Sequence, residues 1–289
     1  MNNDKKGILE HVQLPEKGFE ALWEKIVIPD EVKQRLLSQA LLEFTLRGNT
    51  NPVSIPLHGI ILLVGPPGTG KTSLARGLAN SVAECFPDKK FHFVAVEPHA
   101  LASSGLGKSQ QAVRDLLQTT IAEYAATGPL IVLLDEVETL SPDRKKLSME
   151  SNPIDVHRAT DAVLASVDYL ASKYPHLLFI ATSNFAEAVD EAFLSRADLV
   201  ENIGLPNEHA IRTIVKDSLE ALSEKWPEIK KLIDDAGLDN IIKACVGLDG
   251  RQIRKLILAA CGSNKEVALD PNLLTIDMLL DCAKRKKEL

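Results

Sequence analysis

A glycine-rich stretch near residue 65 constrains this chain more than any other feature. It matches the pattern G-x-x-x-x-G-K-[ST] with Gly65, Pro66, Pro67, Gly68, Thr69, Gly70, Lys71 and Thr72. A continuously apolar run at residues 60–64 precedes it, and Leu74, Leu78 and Val82 follow at helical spacing. Glycines let backbone N–H groups turn toward an anion, and the N-terminus of the following helix adds its positive dipole end. The pattern therefore predicts a phosphate-binding loop between a buried strand and a helix.

The end of this loop carries the groups that select the ligand. Lys71 would reach the outer phosphates of a nucleotide, and the hydroxyl of Thr72 would hold magnesium. We include Ser73 among the nucleotide-contacting residues, and we expect ATP and Mg²⁺ as the cofactors. The alternative is a glycine-rich turn without a ligand, and a second motif downstream argues against it.

That second motif is a pair of carboxylates behind another buried strand. Residues 130–134 are apolar throughout, and Asp135 and Glu136 follow at the sheet edge where ligands bind in open α/β folds. Asp135 would be the second magnesium-binding residue, through the water around the ion, and Glu136 would polarise the attacking water as a general base. Alone, an apolar run ending in Asp-Glu is a weak signal, but behind a phosphate-binding loop it is strong.

The composition and the net charge restrict the binding partners and the cellular location that we expect for this protein. The net charge of -7 and the pI of about 5.6 give no general basic surface for nucleic acid. No apolar run approaches the roughly 20 residues that cross a bilayer, and the first residues do not resemble a signal peptide. We therefore expect a cytoplasmic protein without a membrane or nucleic-acid partner. Cys85, Cys245, Cys261 and Cys282 lack metal-site spacing and are expected to be buried free thiols.

The order of apolar segments predicts the fold. Two helical stripes at residues 19–26 and 32–42 come before a polar break, and only helical patterns follow residue 206. Between them lie candidate strands at residues 60–64, 92–97, 130–134, 177–182 and 199–203. We predict an α/β fold in which a doubly wound, parallel five-stranded sheet is followed by a small helical lid. The expected divisions are 1–52 (leader and helices of the core), 53–205 (large α/β domain) and 206–289 (lid).

Three further segments complete a resemblance to the AAA+ ATPases, a class of P-loop NTPases. The run IATSN at residues 180–184 resembles the strand that ends in the polar sensor of that family, which implies that Asn184 holds the attacking water. The run FLSRAD at residues 193–198 resembles its second region of homology, with Arg196 as the arginine finger offered to a neighbouring subunit. Arg251 resembles the second sensor, which touches the outer phosphates in cis.

Within that class the chain most resembles the pachytene checkpoint ATPases, which remodel HORMA-domain proteins. The matching segments extend over residues 14–285 and include LP (14–15), FEALW (19–23), DEVK (30–33), DEVE (135–138), NPID (152–155), DAVL (161–164), SRAD (195–198), GLDGR (247–251) and RKL (254–256). The resemblance implies a homohexamer that partly unfolds a HORMA-domain protein and dissociates its complexes. In minimal bacterial relatives it implies a role in antiphage nucleotide signalling, by restraining a HORMA-activated nucleotidyltransferase.

The chain differs from the family at several positions, and for some residues two roles remain possible. Eukaryotic members carry an N-terminal domain, whereas only a short leader precedes the core here, so we expect a minimal bacterial form. Gly105 and Leu106 occupy first-pore-loop positions where the family often has a tryptophan-aromatic pair, and Lys108 either faces the pore or is an ordinary exposed helix-start residue. Val27 and Ile28 lie where AAA+ chains often cradle adenine, although apolar residues there are equally expected in the core.

Two other functions remain as alternatives at this point. One is an AAA+ ATPase that acts on DNA, like a clamp loader or a replication initiator, which the negative charge disfavours. The other is a nucleotide-dependent scaffold that hardly turns over. Glu136, Asn184, Arg196 and Arg251 together oppose the scaffold, because a protein that only binds ATP has no evident use for all of them.

Overall fold

The computed structural model describes residues 7–51, 54, 56–97, 108–142 and 153–287. Its sheet has the strand order β1-β3-β4-β5-β2-β6. The strands are β1 (Ile8–Leu14), β2 (Ile60–Val64), β3 (Phe91–Val96), β4 (Leu130–Leu134), β5 (Leu177–Ser183) and β6 (Leu199–Asn202). Strands β2 to β6 pair in parallel, as predicted, and their ends lie within one residue of the expected bounds.

The described helices fall into two groups, those between the first and the last strand in the sequence and those in the C-terminal part of the chain. They are α1 (Lys17–Lys25), α2 (Asp30–Leu46), α3 (Lys71–Glu84), α4 (Lys108–Arg114), α5 (Ala122–Ala125), α6 (Pro153–Lys173), α7 (Glu191–Leu194), α8 (Glu208–Ser223), α9 (Leu238–Ala244), α10 (Gly250–Cys261), α11 (Lys265–Leu269) and α12 (Ile276–Lys287). A π-helical segment, Asp115–Ile121, joins α4 to α5. None of the helices in the described ranges is long and apolar enough to cross a membrane.

The predicted number of strands was wrong, because β1 adds a sixth. It pairs antiparallel with β3 at the edge of the sheet, with Leu14 opposite Phe91. Only Ile8 and Leu14 of this strand are buried, and the five residues between them are exposed or half-buried. A half-exposed edge strand needs no continuous apolar run, so the pattern that revealed the interior strands is missing.

Alternate residues of the interior strands enter two separate hydrophobic clusters. Ile60 and Leu62 belong to one, and Ile61 and Leu63 belong to the other. The second cluster also receives Leu74, Leu78 and Val82 from α3, which confirms the helical face predicted after the glycine-rich loop. Helices therefore cover both faces of the sheet, as a doubly wound fold requires.

The chain divides into two compact units. The first comprises residues 1–65 and 71–203, and the second comprises residues 66–70 and 204–289. In the described part of the second unit, α8 to α12 and two short 3₁₀ segments form the secondary structure, and no strand is present. The division into domains at residues 52 and 205 stays a proposal.

The four cysteines are free, but the expectation that they are buried holds only for Cys245. Cys85 is exposed, and Cys261 and Cys282 are half-buried. Cys85 follows the last residue of α3, where the chain has left the packed face of the helix.

Glu43 on α2 gives the first unit a pH-dependent stability. Its carboxyl is 1% exposed, and burial, with Asp198 nearby, raises its pKa from 4.5 to about 7. Gln39 donates a hydrogen bond to Oε1, whereas Oε2 lacks a hydrogen-bond partner among the described residues. A carboxyl with a raised pKa in the folded state binds its proton more tightly there than in the unfolded chain. Its contribution to stability therefore falls as the pH rises from about 4.5 to 7.

We expect the Glu43→Gln variant to become more stable relative to the wild type as the pH rises from 4.5 to 8. The free energy of unfolding of the variant minus that of the wild type should increase by about 2 to 3 kcal/mol between pH 4.5 and pH 8. Urea unfolding at both pH values measures this difference. Glu31→Gln, on the exposed side of the same helix, is the control and should show no such increase. An equal difference at both pH values for Glu43→Gln would contradict the raised pKa.

Candidate nucleotide-binding site

The glycine-rich loop connects β2 to α3, as its position in the sequence predicts. Gly68 and Gly70 have φ values of +83° and +90°, a backbone conformation that favours glycine. A Cβ atom on Gly68 would lie 2.3 Å from Oδ1 of Asp249. Glycine is therefore required at position 68 for two reasons, the backbone conformation and the closeness of Asp249. Pro66 and Pro67 are exposed, and Thr69 donates a hydrogen bond from its hydroxyl to the carbonyl of Pro66.

Lys71 begins α3 with its side chain held in place. The residue is 6% exposed, and Nζ donates to the carbonyl oxygen of Gly65 at 2.7 Å and to Oδ1 of Asn184 at 3.1 Å. An ammonium group has three donors and no acceptor, so both contacts have the correct polarity. The cation is thereby fixed between the start of the loop and the residue after β5.

Two hydroxyl groups converge on the carboxylate of Asp135. Thr72 donates from Oγ1 to Oδ1 at 2.9 Å, and Thr182 on β5 donates to the same oxygen at 2.5 Å. Asp135 itself follows the last residue of β4. A hydroxyl and a carboxylate side by side are the oxygen ligands and water-ordering groups that Mg²⁺ prefers, so Thr72 and Asp135 fit the ion.

Glu136 is held in an unusual backbone conformation. It is the single non-glycine residue with positive φ in the described chain, with φ 52° and ψ 55°. Its N–H donates to Oγ1 of Thr182 at 3.0 Å, and Nδ2 of Asn184 donates to Oε1 of its carboxylate at 3.3 Å. Left-handed backbone costs free energy for a residue with a side chain and persists where the surroundings enforce it, as at active sites. Here Thr182 and Asn184 provide that support.

Asn184 therefore bridges the two charged groups of the site. Its amide oxygen accepts from Lys71, and its amide nitrogen donates to Glu136. The backbone N–H of Asn184 donates to Oε1 of Glu138 at 3.1 Å. Glu138 lies in the short 3₁₀ turn after β4, so the segments after β4 and β5 are tied together directly.

Thr182 and Glu138 are the residues that the sequence reasoning did not assign to the site. Thr182 lies in the run IATSN (180–184) and Glu138 in the run DEVE (135–138), and both runs resemble family motifs without pointing to these two residues. A threonine near the end of a buried strand was the one available signal for Thr182. Nothing in the local sequence distinguishes Glu138 from an acidic residue in a surface turn.

The structure shows the immediate surroundings of four other predicted residues. Arg196 follows α7, and its guanidinium forms an ion pair with Asp168 on α6. Arg251 is the second residue of α10 and is exposed, while Asp249 caps that helix by accepting from the N–H of Gln252 at 2.8 Å. Val27 and Ile28 are half-buried between α1 and α2, and Ile28 packs on a hydrophobic cluster.

The proposed pore residues cannot be compared with the structure. Gly105 and Leu106 lie outside the described residues. Lys108 begins α4, but its side chain also lies outside the description. Their role in gripping a polypeptide stays a prediction.

A substitution of Thr182 tests whether its hydroxyl contributes to the turnover of ATP. Thr182→Val keeps the shape of the side chain but removes the donor to Asp135 and the acceptor for the Glu136 N–H. We expect turnover of ATP to fall about tenfold with ATP affinity changed less than threefold, because the backbone N–H of Glu136 loses its hydrogen-bond partner and Glu136 loses its support. Steady-state kinetics and equilibrium nucleotide binding measure the two effects.

Thr160 on α6 offers a matched control. It is fully buried like Thr182, but its hydroxyl has no hydrogen-bond partner in the described structure. Thr160→Val should therefore leave turnover unchanged. Equal turnover in the two variants would contradict a role for the Thr182 hydroxyl.

Comparison with known proteins identifies the family of the chain. The family model described as "ATPase family associated with various cellular activities (AAA)" matches residues 61–205. CD-NTase-associated protein 6 of Pseudomonas aeruginosa is 53% identical over 98% of this chain and 93% of its own length. A pachytene checkpoint protein 2 homolog of Arabidopsis thaliana is 33% identical over 95% of this chain and 66% of its own length. A chain of the solved E. coli MS115-1 HORMA:CdnC:Trip13 complex has the same fold, with a TM-score of 0.74, 18% identity and coverage of 97% of this chain and 95% of that one.

The sheet, the glycine-rich loop and the acidic pair define an ATPase of the AAA class. The chain belongs to the AAA ATPase family and, within it, to the pachytene checkpoint branch.

Proposed function

We propose that this protein is a magnesium-dependent ATPase that uses ATP hydrolysis to open HORMA-domain proteins and dissociate their complexes. The ATPase activity is supported by one observation: five polar residues lie together at one edge of the sheet, namely Lys71, Thr72, Asp135, Glu136 and Asn184. In the sheet, Val64 is paired with Ser183 and Leu134 with Ala181, so the carboxyl ends of β2, β4 and β5 are neighbours. This is the edge at which open α/β sheets bind ligands.

Each group of this cluster has a distinct part in hydrolysis. When bound, ATP supplies the phosphoryl group and Mg²⁺ the positive charge that draws electrons from it. Lys71 would place its ammonium beside the outer phosphates, and Thr72 and Asp135 would hold the ion and its water. Glu136 would accept a proton from the attacking water at its carboxylate, because general bases act within hydrogen-bond reach of that water. Asn184 would hold both the water and the Glu136 carboxylate in position.

The groups outside this cluster complete the proposed reaction. We infer that Arg251 contacts the outer phosphates in cis and that Arg196 reaches the nucleotide of a neighbouring subunit in a homohexamer. A guanidinium supplied by another subunit makes hydrolysis depend on assembly. Val27 and Ile28 would contact adenine, which the apolar character of both side chains supports.

The proposed cargo depends on relatives rather than on the site itself. The Pseudomonas relative and the fold shared with the HORMA:CdnC:Trip13 complex support a HORMA-domain substrate and a place in bacterial antiphage nucleotide signalling. This chain spans only 66% of the plant relative, so activities of the longer protein are transferred only as proposals. We propose a cytoplasmic location on the same basis.

A peptide-release experiment tests the cargo. A HORMA-domain protein from the same genome is loaded with a fluorescent peptide, and the loss of anisotropy is followed after adding this ATPase with ATP and Mg²⁺. We expect release that requires ATP and that Glu136→Gln abolishes. Unchanged complex in the presence of active ATPase would contradict HORMA remodelling. Salt-sensitive stimulation of ATP turnover by DNA would favour the DNA-acting alternative instead.

A further inference from the structure

The guanidinium of Arg196 is hydrogen-bonded to the carboxylate of Asp168, which lies on helix α6. Its Nε donates to Oδ1 of Asp168 at 2.7 Å and its Nη2 donates to Oδ2 at 2.8 Å. Its Nη1 donates to the carbonyl oxygen of Ala192 at 2.7 Å. The carboxylate also raises the pKa of Arg196 above its ordinary value. Two parallel hydrogen bonds set the plane of the guanidinium as well as its position.

This arrangement leaves one part of the guanidinium available. An arginine has five N–H donors, and the three contacts above use one each at Nε, Nη2 and Nη1. One N–H on Nη1 and one on Nη2 are therefore without a bond to the part of the chain that the structure describes. These two nitrogens form the end of the guanidinium fork, which matches two oxygens of a phosphate. Asp168 thus holds the Nε–Nη2 edge of the guanidinium, while one N–H on each terminal nitrogen has no hydrogen-bond partner among the described residues and can bind a ligand.

The two partners differ in how firmly their backbones are fixed. Asp168 lies on the 21-residue helix α6, flanked by Val167 and Leu170, which are fully buried. Arg196 lies just after the four-residue helix α7, and its side chain is 25% exposed. Without Asp168, the one remaining described hydrogen bond of Arg196 would be to the carbonyl of Ala192 on that same short helix, with the charge of Asp190 nearby. A long, partly exposed arginine side chain held at one point can take several rotamers.

We propose that Asp168 is a positioning residue for ATP hydrolysis, which orients Arg196 toward the nucleotide of the neighbouring subunit. The inference rests on the proposed role of Arg196 as an arginine finger. Asp168 does not touch the nucleotide; it acts through the guanidinium. Loss of the Asp168 carboxylate therefore leaves Arg196 in place but with its guanidinium no longer held in one orientation. Misplacement of a catalytic group by about 1 Å costs as much as 100-fold in rate.

Five variants test this inference: Asp168→Asn, Asp168→Glu, Arg196→Ala, the double variant Asp168→Asn/Arg196→Ala, and Asp239→Asn as control. Asp239 forms an ion pair with Arg212 at 2.7 Å and is also exposed, so Asp239→Asn removes a comparable charge outside the proposed site. We expect Asp168→Asn to lower kcat about tenfold with KM for ATP within twofold of wild type, and Asp168→Glu to regain part of the loss. Arg196→Ala should lower kcat at least 100-fold. The double variant should match Arg196→Ala within twofold, because Asp168 has no other route to the reaction.

The outcomes separate the inference from the function on which it rests. Arg196→Ala with normal turnover would overturn the assigned role of Arg196, and the inference with it. A defective Arg196→Ala beside an Asp168→Asn variant with normal or raised kcat would overturn the inference alone. A double variant slower than Arg196→Ala would also overturn it, since Asp168 would then act elsewhere. Because Asp168 is 43% exposed, its variants are expected to fold, and an unchanged thermal midpoint and hexamer content confirm this.

Discussion

Glu136→Gln is expected to lower ATP turnover about 1000-fold while ATP binding remains within threefold of wild type. The amide has nearly the same shape as the carboxylate but cannot accept a proton from water at neutral pH, and general-base catalysis contributes roughly 10²- to 10⁴-fold. Lys71 donates to the carbonyl of Gly65 and Thr72 donates to Asp135, and the Glu136→Gln change leaves both of these hydrogen bonds in place, so the contacts proposed to hold phosphate and magnesium persist. Single-turnover kinetics and equilibrium titration with a fluorescent ATP analogue measure the two quantities.

A charge-matched control makes this result specific. Glu220 is exposed on α8, and Glu220→Gln should retain full turnover. The Glu136→Gln protein should also remain bound to a HORMA-domain substrate in the presence of ATP, since the cycle stops before hydrolysis. Turnover close to wild type in Glu136→Gln would remove this residue from its role as the base.

Arg196→Ala is expected to lower turnover at least 100-fold without weakening the binding of ATP to a dilute monomer. An arginine supplied to a phosphoryl-transfer site is worth roughly 10³- to 10⁵-fold in kcat, and in this proposal it acts on a neighbouring subunit. Lys71 and Thr72, which are proposed to contact the nucleotide within the monomer, are hydrogen-bonded to Gly65, Asn184 and Asp135, and the Arg196→Ala change leaves these bonds in place. ATPase assays across a range of protein concentrations and binding measurements at the lowest concentration check both statements.

Mixing two inactive variants tests whether Arg196 acts between subunits. Lys71→Ala subunits lack the phosphate-binding cation but keep Arg196, whereas Arg196→Ala subunits have the reverse defect. In mixed hexamers, an Arg196→Ala subunit next to a Lys71→Ala subunit contains one complete site, so part of the activity should return. Subunit exchange is verified with two affinity tags. Verified exchange without any recovery of turnover would contradict action in trans.

The interior of the fold was predictable from local sequence. Strands β2, β4 and β5 are fully buried, and β3 is buried at every residue except His92. Each carries a branched or aromatic apolar run, and all four lie in parallel register. Strand β1 was not predictable in the same way, since only its first and last residues, Ile8 and Leu14, are buried at the sheet edge. Edge strands owe their place to pairing with a neighbour that is distant in sequence, here Phe91–Val96 of β3.

The sequence by itself determined the chemistry of the site. The glycines at positions 68 and 70 are needed for backbone conformation, and Lys71, Thr72, Asp135 and Glu136 are the groups that phosphate, magnesium and water require. These properties belong to single residues and short segments, so a linear pattern is enough to reveal them.

Only the tertiary structure decided which groups support one another. Lys71 meets Asn184 across 113 residues, Glu136 meets Thr182 across 46, and Arg196 meets Asp168 across 28. The order of strands in the sheet differs from their order in the chain, and it brings the ends of β2, β4 and β5 together. A hydrogen bond depends on distances of about 3 Å and on direction, which no spacing in the sequence specifies. For that reason Thr182, Glu138 and Asp168 emerged as supporting residues only after the chain was folded.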